Sequence, residues 1–145
     1  MTLAYFDTSI LLAILLDEKK QQEAYSYWQK SIRVSSILLK IETIIVLRRT
    51  YEKNKKNLEK NWLSNKTRTM DEFLCEVNYK IVNTKIEQEI YSRKELAKCR
   101  TLDAIHIASA LQFKEINNKE DIYLYTFDKT MHDLAIHYGF MTNKI

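Results

Sequence analysis

Proline is absent from this 145-residue chain, and glycine occurs once, at Gly139. Phosphate-cradling loops of the Walker and dinucleotide types are built on several glycines, so both are excluded. Any phosphate chemistry must then rest on side chains, helix termini or metal. Cysteine is nearly as scarce. Cys75 and Cys99 show no metal-ligand spacing, which fits a reducing cytoplasm and argues against a structural disulfide. Long apolar runs are missing too. The longest early one, Ile10 to Leu16, is too short to span a bilayer and lacks the basic leader of a signal peptide.

What is present suits one globular domain over residues 1–145, with 46% hydrophobic and 29% charged residues. The net charge of +4 is unevenly placed. Between Arg48 and Arg68 lie eight cations (Arg48, Arg49, Lys53, Lys55, Lys56, Lys60, Lys66, Arg68) against Glu52 and Glu59, so this segment carries +6 and the remainder −2. A polyanion-binding surface is one reading, and a solvated helical face is the other.

The chain opens on Leu3-Ala4-Tyr5-Phe6-Asp7-Thr8-Ser9. An apolar run ending in aspartate, with a helical pattern starting at once, reads as a strand over 3–6 followed by a helix over 8–16. Helical patterns follow at 17–31, 38–54, 55–63, 67–77, 84–98, 102–114 and 128–138. Strand patterns lie at 32–37, 79–82 and 122–126, with a small edge strand at 140–142. Thr84 with Glu87 forms a capping box, Thr101 caps the next helix, and Gly139 follows the last one. Alternating strands and helices specify an α/β fold: a mostly parallel sheet with helices on both faces.

Four acidic residues map to the carboxyl edge of that sheet, where open α/β folds bind their ligands. Asp7 and Asp128 each end a strand. Glu42 lies in Ile37-Leu38-Leu39-Lys40-Ile41-Glu42-Thr43-Ile44-Ile45-Val46-Leu47, where eight of eleven residues are apolar, and an unpaired carboxylate is costly there. Asp103 stands in the first turn of its helix. Each has an ordinary alternative as a helix cap or a partner of the helix dipole. Their coincidence at one rim is the stronger signal. Crowded carboxylates repel, and a hard divalent cation such as Mg²⁺ or Mn²⁺ relieves this through oxygen ligands.

Tyr5-Phe6-Asp7-Thr8-Ser9, the lone Glu42, Arg100-Thr101-Leu102-Asp103-Ala104-Ile105-His106-Ile107-Ala108-Ser109-Ala110 and Thr126-Phe127-Asp128 together resemble the motifs of PIN-domain ribonucleases, above all the VapC-type toxins of toxin–antitoxin pairs. The resemblance runs from Thr2 to about Phe140. It implies a PIN-like three-layer sandwich with four or five parallel strands in order 3-2-1-4-5. It also implies a Mg²⁺- or Mn²⁺-dependent endoribonuclease, usually a homodimer, held inactive by a cognate antitoxin. Asp7, Glu42, Asp103 and Asp128 match its acidic positions, with Asp128 at the most variable of them. Ser9 and Thr126 match places where a hydroxyl supports the acids. The RNA that is cut does not carry over, and tRNA is one plausible substrate.

The expected chemistry is phosphodiester hydrolysis leaving a 5′-phosphate and a 3′-hydroxyl. Asp7, Asp103 and Asp128 would hold the cation and lower the pKa of a water. Glu42 either binds a second cation or orients the water. Arg100 contacts substrate phosphate, steadies the acids without metal, or is a plain surface residue. His106, one turn after Asp103, reads as packing or outer support rather than a ligand. His132 and His137 do not share a helical face, and Asp133 reads as solvated. Tyr51 and Trp62 stack on bases or bury against a second subunit. A haloacid-dehalogenase-like phosphatase would need an aspartate where Ser9 stands, and a receiver domain would need paired acids near the first strand. A housekeeping RNA-processing nuclease and a non-catalytic binding module on the same fold stay open.

Overall fold

Alternation along the strands decides how the layers stack. In the computed structural model, which describes residues 1–117 and 121–144, β1 (Thr2–Phe6), β2 (Ser31–Ser36), β3 (Asn78–Lys80), β4 (Tyr123–Tyr125) and β5 (Met141–Thr142) form one sheet ordered β3-β2-β1-β4-β5. Every pairing is parallel, so the α/β topology is the one the resemblance implied. The helices are α1 (Thr8–Leu15), α2 (Gln21–Gln29), α3 (Leu38–Asn54), α4 (Trp62–Leu74), α5 (Thr84–Ser92), α6 (Thr101–Ile116) and α7 (Lys129–His137), with a 3₁₀ turn at Lys94–Lys98.

Successive side chains leave a strand on opposite faces. Ala4 and Phe6 of β1 therefore pack into a core with Ile10, Trp28, Leu39 and Met70, from α1 to α4. Tyr5, between them, joins Ile107, Leu111 and Leu134 of α6 and α7 on the other face. This makes three layers. Ala104 and Ala108 are buried on α6, where small side chains let the helix lie close to the sheet.

Several boundaries differ from the sequence reading, each for a local reason. The second helix starts at Gln21 rather than Asp17, because Asp17 turns the chain at φ 52. Gln21 fastens that turn by donating to Ile14 O and Asp17 Oδ1. The span 55–63 is not helical until Trp62, and α4 then runs through Ser64-Asn65-Lys66 without a break. Thr67 and Thr69 return their hydroxyls to carbonyls one turn back, so this polar stretch is satisfied inside the helix. β3 ends at Lys80, not Val82, because its partner β2 runs out at Ser36. Asn83, not Thr84, caps α5, its side chain accepting from Lys85 N at 3.0 Å. That helix stops at Ser92, and the 3₁₀ turn follows Arg93. Arg100 rather than Thr101 holds the N-cap position of α6.

The chain crosses to β2 and β3 on one side of β1, and places β4 and β5 on the other. The carboxyl ends of β1 and β4 therefore flank the point where the strand order reverses. Ala4 to Phe6 pairs with Tyr123 to Tyr125. Asp7 and Thr126, the next residues along, consequently leave the sheet side by side.

Candidate active site

Asp7 is only 4% exposed. Its amide continues the β1–β4 ladder by donating to Tyr125 O at 3.1 Å. Its Oδ2 accepts from Ser9 Oγ at 2.7 Å and Thr126 Oγ1 at 2.8 Å, with Ser9 N more distant at 3.4 Å. The same two hydroxyls accept from the next loop: Phe127 N reaches Ser9 Oγ at 2.9 Å, and Asp128 N reaches Thr126 Oγ1 at 3.0 Å. Asp7, Ser9, Thr126 and the backbone before Asp128 thus form one hydrogen-bonded unit. Asp128 caps α7, accepting from Met131 N at 2.8 Å.

Asn143, not singled out from the sequence, completes the unit. Its Oδ1 accepts from Thr126 N at 3.0 Å, and its Nδ2 donates to Thr126 O at 2.9 Å. A side-chain amide here imitates a strand neighbour just beyond β5 and fixes Thr126 beside Asp7.

Glu42 projects from the second turn of α3. It accepts from Thr8 Oγ1 at 2.8 Å and from His106 Nε2 at 2.6 Å. His106 is fully buried, and its Nδ1 meets Tyr5 Oη at 2.8 Å. Nε2 also stands 3.9 Å from Asp7 Oδ1. Burial opposes charge on the ring. The Tyr5 oxygen, the hydrogen bond to Glu42 and the negative charges of Asp7 and Glu42 outweigh it, and the ring is pushed up to about 10. For Glu42, burial favours the neutral form, but the bonds to His106 and Thr8 and the nearby Arg100 hold the carboxyl below its usual range.

Asp103 lies in the first turn of α6, its Oδ2 3.4 Å from Arg100 Nε. Burial first, and then the charges of Asp7 and Asp128, raise its pKa against the pull of Arg100. Arg100 itself is 87% exposed along its side chain. Asp7, Ser9, Glu42, Asp103 and Asp128 line one cavity of about 430 Å³, with Arg49 and Arg100 on its banks.

The donor set suits a hard cation: every acid is a carboxylate, and Asp7 and Asp128 press electrostatically on Asp103. Among the described residues no three His, Cys, Asp or Glu side chains stand close enough to form a ready-made ligand cluster. Mg²⁺ keeps several waters and tolerates ligation through them, so a wide carboxylate ring still fits.

Other candidates fall elsewhere. Tyr51 and Trp62 stack on each other, centroids 6.3 Å apart at 15°, and Trp62 packs on the core; the pair joins α3 to α4. Asp133 is solvent-facing, and His132 hydrogen-bonds to Asn143 O. Sequence reasoning missed Tyr5, Thr8 and Asn143 and assigned His106 no partner. The spacing of His106 one turn after Asp103 was the available signal.

The family model described as PIN domain matches residues 4–136. Among solved structures, one described as a toxin–antitoxin complex from Klebsiella pneumoniae aligns over 86% of this chain and 86% of that chain. The two are 16% identical, with a TM-score of 0.58. No curated protein matches the chain.

Proposed function

The chain belongs to the PIN domain family, and on that footing we propose that it is a Mg²⁺- or Mn²⁺-dependent endoribonuclease acting as the toxin of a toxin–antitoxin pair. The observation that carries this reading is the lining of a single cavity by Asp7, Glu42, Asp103 and Asp128 at the carboxyl edge of the sheet. Asp7, Asp103 and Asp128 are assigned to the cation. When bound, that cation acidifies water and offsets charge on the phosphate. Glu42 is assigned to orient the attacking water and take its proton, since His106 and Thr8 fix one of its oxygens. Ser9 and Thr126 hold Asp7 in one rotamer. Arg100 is assigned to a substrate phosphate on the rim.

The partner readings belong to the same proposal. The structural neighbour described as a toxin–antitoxin complex supports a cognate antitoxin. Ile37, at the N-cap of α3, and Ile41 and Ile45 within it recur at four-residue spacing and are 41–45% exposed, which supports a homodimer burying that stripe. No described helix is long and apolar enough to cross a membrane, and we assign the protein, as one domain over 1–145, to the cytoplasm.

The test is purified protein with labelled total tRNA, with Mg²⁺ and with chelator. Expected are fragments carrying a 5′-phosphate and a 3′-hydroxyl, abolished by chelation and by Asp7→Asn with the fold retained. Cleavage that survives Asp7→Asn undiminished overturns the reading.

A further inference from the structure

We propose that α3 carries a track for one RNA strand, leading out of the acidic cavity over Arg49 to Lys53. The inference rests on the ribonuclease reading and adds to it a substrate-binding path. Glu42, Val46, Arg49 and Lys53 follow one another at four, three and four residues, so they share one face of the helix. At about 1.5 Å per residue, Arg49 stands about 10 Å and Lys53 about 16 Å along the axis from Glu42.

Two cavities record the continuity. Val46 and Arg49 line the acidic cavity and also a neighbouring depression of about 470 Å³ along α3, whose lining includes Arg48, Glu52, Lys53 and Asn54. A strand whose scissile phosphate lies over the carboxylates therefore meets a guanidinium and then an ammonium as it leaves.

The structure divides the basic segment by use. Lys55 pairs with Glu52 at 3.2 Å, Lys66 with Asp17 at 3.5 Å, and Arg68 with Asn65 at 3.2 Å. Arg49 and Lys53 are exposed, and among the described residues neither has an acidic partner within 4 Å. Arg48 lines the same depression from the neighbouring helix face, whereas the exposed Lys85 on α5 lines a separate one between α5 and α6. Backbone contacts by unpaired cations give affinity without reading sequence. Arg49 on α3 and Arg100 at the start of α6 both line the acidic cavity, so that contact leads into the cleft.

The experiment is fluorescence anisotropy with a labelled single-stranded RNA of about 10 nucleotides, in chelator so that nothing is cut, across a salt series. Arg49→Ala is expected to weaken binding about tenfold and Lys53→Ala about threefold. Each should lower the slope of log K against log salt by about 0.7, as expected for one phosphate contact on a single strand. Lys85→Ala, with the same charge removed at a separate depression, should leave both nearly unchanged. Equal losses in Lys85→Ala and Arg49→Ala mean diffuse attraction and overturn the track, as does full affinity in the Arg49→Ala, Lys53→Ala double variant. Binding that follows this pattern in a protein that never cleaves RNA with Mg²⁺ sinks the nuclease reading alone. Cleavage with no dependence on Arg49 sinks the track alone.

Discussion

His106 on α6 and Glu42 on α3 meet across the cleft, Nε2 to Oε1 at 2.6 Å, and Asp7 lies within 3.9 Å of the same nitrogen. A buried cation is thereby set behind the carboxylates. It lowers their net repulsion from the protein side, while the opposite side faces the cavity where a metal is assigned.

Stability of the metal-free protein should depend on pH through this ring. With a folded pKa of about 10 against 6.5 unfolded, the His106 contribution is fully present below about pH 6.5 and is lost as pH rises towards 10. It is on the order of a few kcal/mol. On the acid limb two effects oppose: the lowered pKa of Glu42 removes stability as pH falls, whereas the raised pKa of Asp103 restores some. Thermal melts from pH 6 to 10 in chelator should fall steadily for the wild type and flatten in His106→Gln. An identical slope in both proteins removes His106 as the source.

Divalent metal should stabilise the protein through Asp103. Its raised pKa reflects burial and the pressure of Asp7 and Asp128, so Asp103→Asn should raise the melting temperature in chelator. A cation at about 100 times its Kd adds about 2.7 kcal/mol to a protein that binds it only when folded. The wild type is expected to gain most of that with Mg²⁺, and Asp103→Asn much less. Calorimetric titration gives the affinities directly, and equal Mg²⁺ gains in the two proteins count against Asp103 as a ligand.

The parts that were legible in the sequence rest on local rules. A short apolar run ending in aspartate and an immediate helix start marked β1, Asp7 and α1, and the strand–aspartate repeat marked Asp128. Strand ends were less legible because they depend on the neighbour: β3 stops where β2 stops. The support of the site was least visible. Tyr5 and His106 are 101 positions apart in sequence, and Asn143 reaches Thr126 across 17. No periodicity in one element announces a bond that exists only once the sheet register is set.

Thr126→Val tests whether positioning Asp7 matters to the chemistry. Valine keeps the shape and removes the hydroxyl that donates to Asp7 and accepts from Asp128 N. If Asp7 binds the cation as assigned, losing such a partner costs about 10–100-fold in affinity or activity. Cleavage and Mg²⁺ affinity should fall together, while Thr126→Ser restores both. If valine matches wild type in both assays, Asp7 is held well enough by Ser9 alone.

Asn143→Ala separates the framework from the chemistry. Asn143 is 5% exposed and satisfies both backbone groups of Thr126. Alanine leaves a buried N–H and C=O without those partners, at about 1–3 kcal/mol for an unsatisfied group. The loop that carries Asp128 also loses its anchor, so the melting temperature should drop and the Mg²⁺ affinity should weaken, with RNA binding along α3 untouched because that helix lies on the far side of β1. A variant that loses RNA binding in proportion to its loss of stability has simply begun to unfold, and an unchanged melting temperature means that the amide of Asn143 does not hold Thr126 in place.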